Sequence, residues 1–87
     1  MYSVYILYSL ALDRYYVGMT SNIQQRLKKH NANSKGFTKK ANDWTVKYIE
    51  KYNNKNDAEQ RERKIKSWKS RKMIDKLISE AGSEHSD

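Results

Sequence analysis

The chain has 87 residues with no cysteine, and its 18 Lys and Arg outnumber its 10 Asp and Glu, which gives a net charge of +8. Such a length predicts one small domain that buries only about 60% of its unfolded surface, with little room for a deep substrate cavity. The composition excludes a disulfide framework, a thiolate metal site and a membrane span of ~20 apolar residues. Because no basic, apolar leader opens the chain, we expect a cytoplasmic protein with no membrane partner.

The first two predicted elements are strands, from Tyr2 to Leu10 and from Tyr15 to Thr20. Both runs are rich in Tyr, Val, Ile and Leu, and a turn-like Ala-Leu-Asp-Arg separates them, which predicts a hairpin. Gly18 lies towards the end of the second run, where a missing side chain leaves room for a neighbouring group or a ligand. A simple strand-end glycine is the alternative.

A helix is predicted next, with Ser21 or Asn22 as its N-cap. Its apolar stripe has helical spacing, and Arg26 and His30 flank that stripe. The following residues 31–43 have no periodicity and predict an irregular loop near bound phosphates.

The third predicted strand runs from Trp44 to Tyr52, because its residues alternate in polarity. The alternation places Val46 and Tyr48 on one side of the strand. The other side is predicted to carry Lys47, Ile49 and Lys51.

A second helix is predicted to begin at Asn56, which is followed by Glu59 at the spacing of a capping box. One of its faces carries Ala58, Glu62, Ile65 and Lys69. Glu62 is anomalous in a core-facing row, since a carboxylate that loses hydration needs a partner. That partner is either a neighbouring Arg or Lys, or a metal ion.

The last predicted helix begins after Ser70 and ends at Gly82. Its apolar stripe consists of Met73, Ile74, Leu77, Ile78 and Ala81. The sequence thus predicts an α+β fold, a small three-stranded antiparallel sheet flanked by helices in the order β-β-α-β-α-α. We expect a catalytic domain over residues 1–80 and a frayed polar tail over 81–87.

Positive charge is concentrated between Arg61 and Lys76, where eight basic and two acidic residues give a net charge of +6. Such a density predicts a polyanionic partner, because neutralised phosphates release their counterions. The alternative is a soluble helical surface rich in lysine.

Four short motifs in this order carry a resemblance to a known family. They are the strand segment Val4 to Ile6, the segment Tyr16 to Gly18, the pair Arg26 and His30, and A-E-Q-R-E-R-K-I-K-S-W from Ala58 to Trp68. The ordered set resembles the GIY-YIG nuclease family, in particular its small stand-alone members. The similarity covers roughly residues 2 to 78.

The resemblance implies an endonuclease that hydrolyses DNA phosphodiester bonds in DNA repair or processing and selects its substrate by nucleic-acid structure. It implies that Tyr16 acts on the nucleophile, that Arg26 and a divalent ion hold the phosphate, and that Glu62 binds the ion. Tyr5 would position the phosphate and water, and His30 would orient the site or transfer a proton. A lone carboxylate ligand favours one Mg²⁺ or Mn²⁺ over zinc.

No small-molecule cofactor is expected. The lysines predicted to contact nucleic acid are Lys28, Lys29, Lys39, Lys40, Lys66, Lys69 and Lys72.

Three positions depart from the family pattern. Val4 stands at the name-giving glycine, Val17 replaces an isoleucine, and Met19 stands where some relatives carry a lysine. No downstream asparagine ligand can be assigned.

Two other function classes stay open from the sequence. A non-catalytic nucleic-acid-binding module would use the basic helices for phosphates and the tyrosines for stacking. A scaffold subunit would use the aromatic sheet as a protein interface. Tyr5 and Tyr16, each taken alone, also fit plain packing roles.

Overall fold

Three strands and three helices form the part of the chain that the computed structural model describes, residues 1–32 and 41–85, with side chains up to residue 81. The predicted α+β fold and its element order are confirmed, and each strand lies within one residue of its predicted bounds. No described helix is long and apolar enough to cross a membrane. The elements are β1 (Tyr2–Ser9), β2 (Arg14–Thr20), α1 (Ile23–Asn31), β3 (Thr45–Tyr52), α2 (Lys55–Ser67) and α3 (Arg71–His85).

Strand β1 is the middle strand of the sheet and pairs antiparallel with β2 on one side and β3 on the other. The four consecutive residues from Val4 to Leu7 are each at most 1% exposed. Successive side chains of a strand point to opposite faces, so both faces of β1 are covered. The sheet therefore has a core on each side.

Two separate clusters form these cores. The first, the α2 cluster, packs against α2 and α3 and consists of Val4, Ile6, Val17, Ala58 and Ile65. The second, the α1 cluster, consists of Tyr5, Leu7, Ala41 and Trp44, with Tyr16, Ile23 and Leu27 among the residues packed against it. The tyrosines of both family-like motifs thus lie on the face that α1 covers.

Helix α3 packs Ile74, Leu77 and Ile78 against the α2 cluster, as its periodicity predicted. Met73 was predicted to belong to the same stripe, but it is 44% exposed. The three packed residues are spaced i, i+3 and i+4, which centres the buried face on them and leaves Met73 at its margin.

A β-bulge in β3 changes which residues share a face. Ile6 pairs with Tyr48 but Leu7 pairs with Val46, so Lys47 is an extra residue. Val46 consequently packs against the α1 cluster and Tyr48 against the α2 cluster. The prediction that Val46 and Tyr48 lie on one side was wrong, because it assumed unbroken alternation.

Asparagines cap the first two helices. Asn22 caps α1, as predicted, and its Oδ1 accepts a hydrogen bond from the Gln25 N–H at 3.1 Å. Helix α2 begins earlier than predicted, since Asn54 rather than Asn56 is its cap and accepts from the Asp57 N–H at 2.8 Å. The earlier start lengthens the helix, and Asp57 remains in its first turn, where the helix dipole favours a negative charge.

Helix α3 follows Ser70, whose Oγ accepts a hydrogen bond from the Met73 N–H at 3.3 Å, as predicted. The helix continues to His85, past its predicted end at Gly82, and an internal glycine weakens a helix without ending it. Lys69 was predicted to lie on α2 but follows its end, with a φ of 48°. The division into a domain over residues 1–80 and a tail stays a prediction.

Candidate active site

The ring of Tyr5 lies over Gly18. Tyr5 is 1% exposed and stands directly opposite Gly18 in the pairing of β1 with β2. A Cβ atom at position 18 would lie 2.6 Å from Cζ and 3.1 Å from Cε1 of Tyr5, closer than the packed ring allows. The interpretation that Gly18 leaves room for a neighbouring group is confirmed, and that group is Tyr5.

A hydrogen bond joins the hydroxyl group of Tyr5 to Nε2 of His30 at 3.1 Å. His30 is in the last turn of α1 and is 8% exposed, so a polar ring nitrogen lies within an otherwise apolar interior. A buried polar group is costly unless it is hydrogen-bonded. Tyr5 and His30 satisfy each other, which fixes the end of α1 over the middle strand.

Tyr16 completes an aromatic group with these two residues. Its ring centroid lies 4.9 Å from that of His30 and 6.5 Å from that of Tyr5. Trp44 meets Tyr16 edge-on, with the centroids 6.5 Å apart. The sequence predicted Tyr5, Tyr16 and His30 for one site, and the fold brings them together, whereas Trp44 was predicted only as the first residue of a strand.

Arg26 adds positive charge beside this aromatic group. It lies one helical turn before His30 in α1 and is exposed, so its guanidinium is accessible to an anion. Burial, and secondarily the charge of Arg26, lower the pKa of His30 below its ordinary value of 6.5. The imidazole is therefore neutral at pH 7.

The hydroxyl group of Tyr5 keeps its proton at neutral pH. Burial raises the pKa of Tyr5 above its ordinary value of 10.0, and the charges of Tyr16 and Glu62 act in the same direction while Arg26 opposes them. A protonated hydroxyl donates a hydrogen bond but does not act as a base. Tyr5 is thus suited to orient groups in the site.

Glu62 approaches the site from α2. Its negative charge contributes to the raised pKa of Tyr5, so the carboxylate lies within electrostatic reach of that ring. Its side chain is 21% exposed, and Nζ of Lys66, one turn later, lies 3.1 Å from its Oε2. Of the two partners that the sequence left open for Glu62, a basic side chain or a metal ion, the structure shows a basic side chain, Lys66.

The donor set for a cation is small. No group of three or more His, Asp or Glu side chains converges on a point among the residues that the structure describes. Glu62 offers a partly buried carboxylate whose charge acts on Tyr5. One carboxylate fits a hard cation such as Mg²⁺ or Mn²⁺, which takes most of its ligands from water and phosphate.

A partly buried ion pair between Arg61 and Glu50 fixes α2 against β3. Arg61 donates from Nε to Oε1 of Glu50 at 2.9 Å and from Nη2 to Oε2 at 3.0 Å. Tyr48 and Tyr52 also donate their hydroxyl protons to this carboxylate. Since Arg61 precedes Glu62, the pair sets the orientation of the helix that carries Glu62. Sequence reasoning missed it, although Glu50 alternates with Tyr48 and Tyr52 along β3.

Asn31 ties the end of α1 to the start of β3. Its Nδ2 donates to the carbonyl oxygen of Trp44 at 3.0 Å, and its Oδ1 accepts from the Trp44 N–H at 2.7 Å. The two hydrogen bonds hold Trp44 beside Tyr16. Asn31 was predicted to lie in a loop, and nothing in its sequence context indicated this contact.

The predicted phosphate-binding lysines are spread over several elements. Lys28 and Lys29 are exposed in the last turn of α1, Lys66 is on α2, and Lys72 is on α3. Lys39 and Lys40 lie outside the described residues. Lys66 and Lys69 line one depression, from which Lys28, Lys29 and Lys72 are absent.

The family of the chain follows from a comparison with family models. Residues 1–75 match the model of the GIY-YIG catalytic domain. The chain belongs to the GIY-YIG family. This family consists of endonucleases, which act on nucleic acid and generally use divalent metal ions, so the chain is a small GIY-YIG nuclease domain. Comparisons with curated proteins and with solved structures returned no match.

Two departures from the GIY-YIG pattern have a structural explanation. Val4 and Val17 both belong to the α2 cluster, on the face of the sheet opposite Tyr5 and Tyr16. A valine there adds apolar surface to the core and leaves both tyrosines in place.

Proposed function

We propose that this GIY-YIG protein is a metal-dependent endonuclease that hydrolyses DNA phosphodiester bonds. The observation that supports this most strongly is the grouping of Tyr5, Tyr16 and His30 on one face, with the charges of Arg26 and Glu62 acting on it. The proposal includes a choice of substrate by DNA structure, a role in DNA repair or processing, and a cytoplasmic location.

Hydrolysis of a phosphodiester needs an activated water, positive charge on the phosphoryl oxygens and protonation of the leaving oxygen. In this proposal the exposed guanidinium of Arg26 binds the phosphate and Tyr16 acts on the attacking water. Tyr5, which stays protonated, orients the phosphate by donating a hydrogen bond. Neutral His30 holds the Tyr5 hydroxyl in place through the hydrogen bond at Nε2.

Glu62 would hold the divalent ion in this proposal. Mg²⁺ or Mn²⁺ supplies positive charge at the phosphoryl oxygen when it is bound. Nζ of Lys66 lies 3.1 Å from the Glu62 carboxylate, whose side chain is 21% exposed. The exposed lysines of α1, with Lys66, Lys69 and Lys72, contribute phosphate contacts, and no membrane or small-molecule cofactor takes part.

One observation favours a second candidate, a non-catalytic nucleic-acid-binding module. Lys66 already neutralises Glu62 at 3.1 Å, so the carboxylate is satisfied by the protein itself. In such a module the basic surface binds phosphates and the tyrosines stack on bases. Binding would then survive loss of Glu62, and no cleavage would occur.

The experiment that separates the two candidates incubates the purified chain with branched, nicked, single-stranded and duplex DNA. Each substrate is tested with Mg²⁺, with Mn²⁺ and with EDTA. The nuclease proposal predicts products that require the metal and that differ in yield between the DNA structures. Binding to every substrate without metal-dependent products would favour the module.

A further inference from the structure

A groove runs along the free edge of β2. A cleft of about 680 Å³ between the β1–β2 turn and the α2–α3 connection is lined by Arg14, Tyr15 and Lys69, among others. A smaller depression shares Tyr15 and Lys69 with it and reaches Tyr16 and Lys66. The two form one continuous surface, here called the β2 groove, which leads from the candidate active site to Arg14.

The charge of the β2 groove is predominantly positive. Its larger cleft has Arg14, Lys69 and Arg71 on its walls, against the one carboxylate of Asp13. Nη2 of Arg71 lies 2.6 Å from Oδ1 of Asp13, so these two charges largely cancel. Neither Arg14 nor Lys69 forms a salt bridge with a residue that the structure describes. Their charges are therefore available to an anion.

The backbone of Lys69 gives independent evidence of a role for its side chain. Lys69 follows the C-cap Trp68 of α2 with a φ of 48°, in the left-handed region. Glycine is favoured at this position after a helix, and a long side chain is disfavoured there. Asp13, with a φ of 53°, is the other non-glycine residue with positive φ in the described part of the chain, and it lines the same cleft.

Strained backbone is concentrated at functional sites because selection tolerates it where a side chain is needed. A glycine at position 69 would relieve the strain and would also remove a cation from the groove. The conformation of the turn does not account for a lysine at position 69, whereas an anionic ligand of its ammonium group does.

We propose that Lys69 and Arg14 bind backbone phosphates of the DNA strand that continues from the active site, so that this strand follows the β2 groove. The proposal rests on the proposed nuclease function and extends it with a path for the strand. Two cations at successive places along one groove match the repeating charge of a nucleic-acid backbone. Tyr16 also lines the smaller depression, so the groove includes a residue of the candidate active site.

Equilibrium binding of labelled duplex and single-stranded DNA in EDTA tests this path without cleavage. The variants are Lys69→Gly and Arg14→Gln, with Lys69→Arg as the variant that keeps the charge. Lys55→Gln is the matched control, since it removes one positive charge at the opposite end of α2. Affinity is measured over a salt series, and thermal melts are recorded for every variant.

Each lost phosphate contact should make the slope of log affinity against log salt shallower by about 0.9 on duplex and about 0.7 on single-stranded DNA. Near 0.1 M salt this is about eightfold weaker binding on duplex and about fivefold weaker binding on single-stranded DNA. Lys69→Gly should show this loss while its melting temperature stays at or above that of the parent. Arg14→Gln should show the same loss, and Lys69→Arg and Lys55→Gln should bind like the parent.

Equal affinity and slope for the parent and Lys69→Gly would overturn the groove assignment and leave the nuclease proposal standing. The same loss in Lys55→Gln would also overturn it, because the effect would then reflect net charge alone. A parent protein that binds neither DNA would overturn both proposals.

Discussion

The Tyr5 hydroxyl and Nε2 of His30 lie 3.1 Å apart, which joins the buried middle strand to the last turn of α1. The contact couples the fold to the candidate chemistry, since Tyr5 stands over Gly18 and the ring centroid of His30 lies 4.9 Å from that of Tyr16. Changes in the protonation of His30 should therefore affect both stability and activity.

Acidification should destabilise the protein through His30. Its pKa is lowered in the folded state relative to an unfolded value near 6.5, so the folded state resists protonation. This contribution is fully present above about pH 6.5 and is lost as the pH falls through the folded-state pKa. Urea unfolding from about pH 7.5 to 5 should show falling stability for the parent.

The control for this experiment is His30→Gln, which cannot titrate. It should be less stable at neutral pH and should lose less stability on acidification. The carboxyl groups of three acidic residues titrate below about pH 5, outside the range of this experiment, because their pKa values are lowered in the folded state. They are Asp13, Asp43 and Glu50. Parallel pH profiles for parent and variant would show that His30 is not the titrating group.

Gly18→Ala should destabilise the fold by about 1–3 kcal/mol, because the added methyl group overlaps the ring of Tyr5. A double-mutant cycle with Tyr5→Leu isolates this contact. The alanine should cost much less when Tyr5 is already absent. Chemical denaturation of the four proteins measures the coupling, and additive costs would disprove the steric account of Gly18.

Arg61→Ala should cost roughly 2–4 kcal/mol, since it leaves the Glu50 carboxylate largely buried without its ion pair. Arg63→Ala is the matched control on the same helix. The Arg63 side chain is 79% exposed and pairs with Glu59 at 3.6 Å, so its loss should cost less than about 1 kcal/mol. Similar unfolding free energies for the two variants would contradict the structural role of the Glu50 pair.

The fold could be predicted from the sequence because each strand and helix is indicated by residues that are close together in the chain. The aromatic and β-branched composition of the first two strands and the helical spacing in the first and last helices are properties of neighbouring residues. The bulge at Lys47 escaped prediction because it depends on pairing with β1, which lies far away in the sequence. The Glu50–Arg61 pair escaped for the same reason.

The candidate site was predictable in its residues but not in its contacts. Motif order identified Tyr5, Tyr16 and His30, and the fold brings them together. The protonation states of Tyr5 and His30 could not be predicted from the sequence, because burial in the folded protein has the largest effect on their pKa values. Lys69 was predicted on a helix face, because its left-handed backbone has no signature such as glycine in the sequence.

Glu62→Gln should abolish Mn²⁺ binding in the presence of DNA while the fold is retained. The substitution keeps the size of the side chain and removes the charge that a hard cation requires. Glu59→Gln, three residues earlier on α2, is the control, because Glu59 pairs with Lys55 and Arg63. Calorimetric titration with Mn²⁺ measures the effect, and equal binding by both variants would remove Glu62 from the metal site.

The central claim, that this GIY-YIG protein cleaves DNA at the Tyr16 and Arg26 site, is tested most directly by single-turnover cleavage paired with equilibrium binding on one DNA. Interactions made in the transition state change the rate far more than the affinity. Tyr16→Phe and Arg26→Ala should each lower the rate by about 10²-fold to 10³-fold, with DNA affinity altered far less than the rate, and Tyr2→Phe should cleave like the parent. Normal rates in both site variants, or a parent that binds DNA without metal-dependent cleavage, would contradict the claim.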